Sequence, residues 1–329
     1  MRILLVSNEY PRKGIIGNPI IGRLKRAIET DARVNRVDFV PFTNNVLDFF
    51  RIRREAVKAD IIHIQFGGLY AFLVWVCIIG ISKPKLLTFH GTDIHAKAIK
   101  TSKSYLTKLK IWLSQKASFL SILLFDKVGF VSETLIPYVP KWIHRKYKDK
   151  LFLQPLGVDY KLFVPTTKRE SLDILKIENH KYALFSDISG TPIKRRDIAS
   201  DIMKKMGDDY RLLIMCKVKP EMVPVYLNAC DFVLLTSDEE GSPNITREAL
   251  SLNKRVFSVD VGDVRQQLSG LHNSAIISRS PESAAMQIKH KLSSPYVDNT
   301  REKLRNKIDF ACICTKLVDI YEKLVINKK

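Results

Sequence analysis

The stretch SDEEGSPNITREALSL, residues 237–252, decides the fold prediction. It lies between two apolar runs, DFVLLT at 231–236 and RVFSVD at 255–260. Apolar runs of this length, bounded by turn residues, are typical of buried parallel strands. The stretch therefore predicts a strand, a loop, a short helix and a second strand. The loop follows the carboxyl end of a strand, which is where open α/β sheets bind their ligands.

The residues of this loop suit an anionic ligand. Gly241 lets the backbone turn and leaves room for a ligand. Ser242 followed by Pro243 fits a helix N-cap and the first helical position. The helix then directs its free N–H groups and its positive dipole end at the loop. Glu240 stands before the turn and Glu248 stands on the helix, so one carboxylate can face the reacting part of a ligand while the other reaches a more distant part.

The same residues resemble a known signature. E-G-S-P-N from Glu240 to Asn244, the spacing from Glu240 to Glu248, and VFSVDVGDV at 256–264 together resemble the E-x7-E motif of retaining GT-B glycosyltransferases of the glycosyltransferase family 4 type. The resemblance implies that Glu240 contacts the donor sugar and that Glu248 binds the ribose hydroxyls. The backbone of Gly241, Ser242, Pro243 and Asn244 would line the sugar and the diphosphate. Without the resemblance, both carboxylates would be interpreted as solvated surface charges.

A second motif, His90-Gly91-Thr92-Asp93, follows an apolar run at 85–89 that predicts a strand. It resembles the family segment whose His lies in the cleft and contacts the donor hexose, which makes His90 a candidate catalytic residue. A lone His after a strand is more often structural, but its occurrence beside E-x7-E favours the functional interpretation. His63 has weaker support and is interpreted as a buried His with satisfied hydrogen bonds.

A third segment, DISGTPIKRRDIA, follows a predicted strand at 182–186. In the resembled family, an Arg near the strand end and a Lys a few residues later neutralise the donor diphosphate. Lys194 matches that Lys, whereas the position of the Arg is occupied by Ser186 or a neighbour. Arg195 or Arg196 is the candidate replacement from the next turn, and the alternative is that both are solvated helix charges.

The amino-terminal segment opens like a doubly wound α/β domain. RILLVS at 2–7 predicts a strand, a glycine-containing loop follows, and residues 20–30 predict an amphipathic helix. The loop lacks G-x-G-x-x-G. The resemblance implies that Gly14 and Gly17 lie near the acceptor and the donor phosphate, and a plain turn is the alternative. Gly262 is expected to let its loop pass close to the base or ribose.

The chain length of 329 residues predicts about two domains. We place an amino-terminal Rossmann-like domain at 1–164 and a carboxyl-terminal Rossmann-like domain at 165–329. The resemblance implies a GT-B fold, in which two doubly wound α/β domains face each other across a cleft. The first domain would bind the acceptor and the second the nucleotide-sugar donor. It also implies that the last helix, predicted at 301–325, packs back on the first domain.

The charge is uneven along the chain, whose formal net charge is +20. Residues 1–165 carry 27 Lys and Arg against 12 Asp and Glu, and residues 166–329 carry 27 against 22. A basic segment with Trp and Leu at 97–120 fits an amphipathic helix on an anionic membrane surface. The alternative is a helix whose apolar side packs on its own domain. No helix-turn-helix, zinc finger or RNP-type strand supports nucleic acid as the partner.

Other features limit the class of protein. The five Cys are scattered, which favours reduced thiols in a cytoplasmic protein. MRILLVSNEYP does not have the pattern of a signal peptide. The apolar run at 69–81 is too short to span a bilayer and predicts a buried core helix. No Asp-x-Asp pair occurs, so we expect no metal requirement and no cofactor beyond the donor substrate.

The predicted function is therefore retaining transfer of a hexose-type sugar from a nucleotide diphosphate sugar to a glycan acceptor. The basic apolar segment favours a lipid-linked acceptor at the inner face of the cell membrane, in cell-surface polysaccharide or glycolipid biosynthesis. A soluble sugar or a protein is an alternative acceptor. Two other classes stay open, namely a sugar-nucleotide epimerase with the GT-B fold and a non-catalytic sugar-nucleotide-binding subunit.

Overall fold

The computed structural model describes residues 1–8, 19–43, 45–95, 104–187, 190–296 and 299–328. The chain forms two compact units. The first unit contains Met1–Leu156 and Phe310–Lys329, and the second contains Gly157–Asp309. The chain thus leaves the first unit at residue 156, eight residues before the end of the predicted domain, and returns to it for the last twenty residues.

The first unit is built on a parallel sheet of six strands in the order β2-β1-β3-β4-β5-β6. Most residues of these strands are apolar, as expected when helices cover both faces of a sheet. The strands are β1 (Arg2–Ser7), β2 (Arg36–Pro41), β3 (Ile61–Gln65), β4 (Lys85–Phe89), β5 (Lys127–Phe130) and β6 (Leu151–Leu153).

Helices form a layer on each face of this sheet. Those before the second unit are α1 (Pro19–Glu29), α2 (Val46–Lys58), α3 (Gly68–Cys77), α4 (Thr92–His95), α5 (Tyr105–Leu124) and α6 (Lys141–Tyr147). Helix α2 packs on α3, α3 packs on α5, and α5 packs on α6, so these four lie side by side. The right-handed crossovers of parallel sheets place α1 on the opposite face.

The second unit contains a parallel sheet of five described strands in the order β11-β10-β9-β7-β8. Its strands are β7 (Lys181–Ser186), β8 (Tyr210–Met215), β9 (Phe232–Leu235), β10 (Arg255–Ser258) and β11 (Ala275–Ile276). Its helices are α7 (Lys168–Leu175), α8 (Arg196–Met206), α9 (Val223–Ala229), α10 (Asn244–Ser251), α11 (Val264–Gln267), α12 (Pro281–Ser293) and α13 (Thr300–Ile308). Both units are doubly wound α/β folds, as the sequence predicts.

The segment 301–325 is helical as predicted, but it forms two helices rather than one. Helix α13 ends at Ile308, and Asp309 is extended with φ −68° and ψ 127°. The Ile308 carbonyl accepts from Val158 N at 2.7 Å instead of continuing a helix. Helix α14 (Phe310–Asn327) follows, packs on α1, and contributes apolar residues to the core of the first unit.

The prediction of a fully buried helix at 69–81 also needs correction. Helix α3 buries Ala71 and Val74, whereas Leu69 and Val76 are exposed. The run is apolar on all sides, but the helix has neighbours on only part of its circumference. Among the described residues, no helix is long and apolar enough to cross a membrane.

Candidate functional site

The loop between β9 and α10 brings Glu240 to Lys194. The Lys194 ammonium lies 2.5 Å from Glu240 Oε1, and Ser237 Oγ donates to the same oxygen at 2.8 Å. Both side chains are mostly but not fully buried. The two candidate catalytic residues of the second unit, 46 positions apart in the chain, therefore form one ion pair.

Hydrogen bonds join the two neighbouring loops that carry Lys194 and Glu240. Thr236 Oγ1 is within hydrogen-bond distance of the Lys194 and Arg195 carbonyls, at 3.1 and 2.8 Å. The Asp238 N–H donates to the Ile193 carbonyl at 2.9 Å. These loops follow β7 and β9, which are adjacent in the sheet. The carboxyl ends of adjacent parallel strands meet at one edge, so the site lies where open α/β sheets bind ligands.

Arg195, the candidate replacement for the family Arg, is engaged with acids. Its guanidinium donates to Asp197 at 2.8 Å and to Asp238 at 3.2 Å. The pKa of Arg195 is raised, mainly by the hydrogen bond to Asp197 and next by the hydrogen bond to Asp238. Its backbone is left-handed, with φ 53°, at the start of α8. Its charge is thus already balanced by two carboxylates.

The structure adds Arg279, which the sequence analysis missed. Its Nη1 donates to Asp238 Oδ1 at 2.9 Å, and its Nη2 donates to the Ser237 carbonyl at 3.0 Å. Arg279 lies just before α12, more than thirty residues beyond the E-x7-E segment, and no local pattern around it indicates a site.

The predicted cap of the helix at this loop is wrong by one position. Pro243 is the N-cap, with φ −68° and ψ 121°, and Asn244 is the first helical residue. The Ser242 hydroxyl does not cap the helix, because it donates to Asp263 Oδ2 at 2.7 Å and accepts from Arg247. A tertiary contact therefore replaces the local capping bond that the sequence rule predicts.

Arg247 and Asp263 form a buried ion pair beneath the loop. Arg247 Nη2 lies 3.0 Å from Asp263 Oδ2, and Gln267 donates to the other Asp263 oxygen at 2.6 Å. Burial lowers the pKa of Arg247, and the charge of Asp263 opposes that effect. Buried charges are tolerated when they are paired and hydrogen-bonded, so this cluster fixes the segment that carries Ser242.

Gly262 packs against the same loop. Its φ is 58°, and a Cβ at this position would lie 2.7 Å from the Gly241 carbonyl oxygen and 3.1 Å from that of Glu240. No side chain fits at that distance, so the close approach of two backbones by itself accounts for this glycine. Its expected place near a base or ribose stays a prediction.

Glu248 lies on α10 and is buried. At the start of the same helix, the buried Asn244 Oδ1 has no hydrogen-bond partner within the part of the chain that the structure describes. The same holds for Oδ1 of Asp187, which follows Ser186 at the position of the family Arg. Buried polar atoms are usually hydrogen-bonded, so each of these two oxygens keeps an unused capacity to accept a hydrogen bond.

In the first unit, His90 lies at the carboxyl end of β4. Its Nε2 is 2.9 Å from Gln65 Oε1, and its ring stacks on Phe66 with centroids 3.9 Å apart. Asp93 holds the turn, because its carboxylate accepts backbone N–H bonds from Gly67, His90 and Gly91. Burial lowers the pKa of His90 to about 3. At neutral pH this side chain is therefore an uncharged hydrogen-bonding group.

A buried polar chain lies behind His90. His63 Nδ1 contacts Tyr321 Oη at 2.5 Å, and His63 Nε2 contacts Thr88 Oγ1 at 2.8 Å. Thr88 Oγ1 in turn donates to Gln154 at 2.7 Å. The interpretation of His63 as a buried, satisfied His is confirmed. Tyr321 belongs to α14, so the last helix is held in the first unit by a polar contact as well as by its apolar face.

This burial predicts a pH dependence of stability. Desolvation, with a smaller contribution from the nearby His90, lowers the pKa of His63 from 6.5 to about 3. Between these values the unfolded chain binds a proton that the folded chain excludes, so stability falls as the pH is lowered. The free energy of unfolding falls by at most about 1.4 kcal/mol per pH unit for each such His.

Urea unfolding of His63→Gln from pH 7.5 to 5 should show a shallower dependence of the unfolding free energy on pH than wild type. His144→Gln, at an exposed position on α6, is the control; equal slopes in all three proteins would contradict the prediction.

Gly14 and Gly17 lie outside the described residues, as do Lys97, Lys100 and Lys103 of the basic segment. No set of three His, Cys, Asp or Glu side chains arranged to hold a metal ion occurs in the ranges that the structure describes.

No protein-family model and no curated protein matches this sequence. Solved structures do match it over nearly their whole length. Sucrose-phosphate synthase from Thermosynechococcus elongatus superposes with a TM-score of 0.69 at 16% identity, covering 99% of both chains. Anabaena Alr3699/HepE in complex with UDP gives a TM-score of 0.71 at 13% identity, covering 98% of this chain and 100% of the other.

The chain has the GT-B fold. WaaG, a glycosyltransferase involved in lipopolysaccharide biosynthesis, shares it with a TM-score of 0.66 at 12% identity, covering 98% of this chain and 99% of WaaG. At these identities the likeness is one of fold. The GT-B prediction from E-x7-E is confirmed, and the role of each site residue stays a prediction.

Proposed function

We propose that this protein is a retaining glycosyltransferase of the family 4 type, moving a hexose-type sugar from a nucleotide diphosphate sugar to a glycan acceptor. The observation that carries the proposal is the contact of Lys194 with Glu240 at the ligand-binding edge of the second sheet, beside the start of α10. One structural neighbour supports the donor class, since HepE has been solved with UDP and with UDP-glucose.

Each residue has a role in this proposal. In the free enzyme, Lys194 and Glu240 neutralise each other. When the donor binds, Lys194 turns to the diphosphate and Glu240 accepts hydrogen bonds from sugar hydroxyls. The first N–H groups of α10 add positive potential at the phosphates. Glu248 binds the ribose, and neutral His90 hydrogen-bonds the hexose.

The transfer step needs no protein nucleophile. The bond between the anomeric carbon and the β-phosphate oxygen breaks, and the acceptor oxygen bonds to the same face of that carbon. The acceptor proton passes to the departing phosphate oxygen. Lys194 stabilises the charge that develops on the leaving group, which is the stage at which a fixed cation lowers the barrier most.

We expect transfer without a divalent cation, because Lys194 and the α10 N–H groups supply the positive charge that a metal would otherwise provide. Activity should therefore be unchanged after treatment with EDTA. The measurement is the release of nucleotide diphosphate, before and after chelation. Loss of activity in EDTA, with recovery on adding manganese, would contradict this expectation.

The donor class is tested by thermal unfolding with UDP, GDP, ADP and CMP. A ligand that binds only the folded protein, at about 100 times its dissociation constant, adds roughly 2.7 kcal/mol. One nucleotide should stabilise wild type, and Glu248→Ala should lose that shift because the ribose contact is gone. Glu302→Ala, on the exposed side of α13, is the matched control and should keep it. The absence of any shift in wild type would overturn the proposed function.

We further propose that the acceptor is lipid-linked and that the protein works at the inner face of the cell membrane, in cell-surface polysaccharide or glycolipid biosynthesis. The support is the exposed basic and apolar surface of α5, which covers the described part of the segment 97–120. A soluble sugar or a protein acceptor is the alternative. Transfer to extracted lipid but not to free oligosaccharides would favour the lipid-linked acceptor.

A second candidate function is a non-catalytic sugar-nucleotide-binding subunit. The favouring observation is that Asp187 lies next to the position of the family Arg, while Arg195 is paired with two acids. A nucleotide-dependent thermal shift without any donor hydrolysis or transfer would favour this candidate over the enzyme. The third possibility, an epimerase, would interconvert the donor sugar in the absence of an acceptor.

A further inference from the structure

Helix α5 extends past the carboxyl edge of the first sheet. Ser118 Oγ donates to the Asp93 carbonyl at 2.5 Å and accepts from Gly68 N at 2.8 Å. Ser118 is therefore level with the residues that follow β3 and β4. The helix begins at Tyr105, and at 1.5 Å per residue the preceding turns reach about 20 Å further along the helix axis. Residues 104–110 are all exposed.

The extended part of α5 presents large apolar side chains to solvent. Tyr105 is 78% exposed, Leu106 68% and Trp112 46%. Lys108 and Lys110 lie among them, and the Lys116 ammonium is 5.5 Å from the centre of the Trp112 ring. A helix with exposed Trp, Leu and Lys gains free energy when its apolar side chains enter the boundary of a bilayer and its ammonium groups meet lipid phosphates.

Helix α2, in the same layer of helices, also exposes large apolar side chains beside basic ones. Leu47 is 71% exposed and Phe50 is 70% exposed, in the first turns of the helix. Arg51 and Arg54 are exposed beside them. Helix α2 begins five residues after β2 ends, which places Leu47 and Phe50 at the carboxyl edge of the sheet, where α5 also extends.

Contacts across the layer connect these two helices. Arg53 of α2 donates to the carbonyls of Cys77 and Ile79 at the end of α3, at 2.9 and 3.0 Å. At the other end of α3, Leu69 N donates to Ser114 Oγ of α5 at 3.3 Å, and Leu69 itself is exposed. Helices α2, α3 and α5 together carry seven Lys and Arg against two acids, of which Asp48 accepts from Thr43 and Glu55 pairs with Arg2.

We propose that the outward surface of α2, α3 and α5 docks on an anionic lipid bilayer, with Leu47 and Phe50 of α2 as an apolar anchor separate from that of α5. The charge excess selects an anionic surface, and the exposed Phe, Leu, Tyr and Trp enter its boundary. We call this surface the docking face. This proposal rests on the proposed function and deepens it. Docking directs the sheet edge that carries His90 toward the lipid headgroups, where a lipid-linked acceptor presents its glycan.

The test is sedimentation of the full chain with vesicles of phosphatidylcholine alone or mixed with phosphatidylglycerol. Wild type should bind the mixed vesicles, bind phosphatidylcholine weakly, and be released by high salt. Leu47→Ser with Phe50→Ser should reduce binding at least about tenfold, since two exposed apolar side chains lose their burial. Leu106→Ser with Trp112→Ser should do the same. The matched control is Ile174→Ser with Met286→Ser, two exposed apolar positions of the second unit, which should bind like wild type.

Several results would overturn the docking face. The first is that wild type binds neither kind of vesicle. The second is that the α2 variant binds as tightly as wild type. The third is that the control variant loses as much binding as the α2 variant does. A concentration-dependent dimer of wild type that the α2 variant abolishes would identify a second copy of the chain as the occupant instead. Thermal unfolding of each variant checks that it is folded. Since the assay contains no donor, its failure is distinguishable from failure of the nucleotide-binding test of the proposed function.

Discussion

Replacing Lys194 by Met is expected to lower kcat for sugar transfer by about 10²–10³-fold, which is the usual loss when one fixed group that stabilises transition-state charge is removed. The KM for the donor should change much less, because the lost interaction strengthens as the diphosphate departs. The measurement is nucleotide diphosphate release under saturating donor, once the thermal-shift panel has identified the nucleotide. Lys204→Met, at an exposed position on the adjacent α8, should retain full activity.

The contact between Lys194 and Glu240 makes this prediction sharper. Glu240→Gln should also lower kcat strongly, and the double variant should lose less than the product of the two single losses. Residues in direct contact are not additive, and each single variant leaves its partner without the opposite charge. If the two losses multiplied fully, Lys194 and Glu240 would act independently and the shared-site interpretation would fail.

Replacing Asp263 by Ala is expected to lower the free energy of unfolding by about 3–5 kcal/mol, because it leaves the buried Arg247 charge without its partner. Such a loss is a large share of the 5–15 kcal/mol typical of folded domains. The measurement is urea unfolding followed by circular dichroism. Asp260→Ala is the control, since its pair with Arg265 is largely exposed and solvent screening leaves it little effect on stability.

A further variant separates the ion pair from its surroundings. Arg247→Met combined with Asp263→Leu removes both charges and should recover part of the stability, because neither charge is then buried alone. Ser242 and Gln267 lose partners in this variant, so the recovery should be incomplete. If Asp263→Ala destabilised the protein no more than Asp260→Ala does, the buried pair would not fix the loop.

The sequence predicted most of the site in the second unit through local pattern. DFVLLT and RVFSVD are apolar enough to require burial on both faces, and they form β9 and β10. The spacing from Glu240 to Glu248 follows from a loop and a short helix between these strands. Lys194 could be chosen only through the family resemblance, because nothing within the sequence around it shows that Glu240 lies 2.5 Å away.

Local rules failed where a distant residue competed. Ser242 has the residue type and position of an N-cap, but Asp263, 21 positions later, takes its hydroxyl. Arg195 stays a candidate for the diphosphate, and the fold adds Asp238, 43 positions away, to its local partner Asp197. At Ser242 a buried hydrogen bond made possible by strand order outweighs the capping bond that sequence neighbours offer, since a charged, buried partner is worth more than an exposed local one.

By itself the sequence determined the two doubly wound units, their strands apart from β6, and the residue types that meet at the edge of the second sheet. These follow from short-range hydrophobic pattern, because burial on both faces of a parallel sheet demands continuous apolar strands. Only the tertiary structure decided which charges pair, why residue 262 is a glycine, and that α2 and α5 expose their apolar side chains. Those properties depend on which elements become neighbours, and a hydrophobic pattern states only that a residue should be covered, not whether another element is present to cover it.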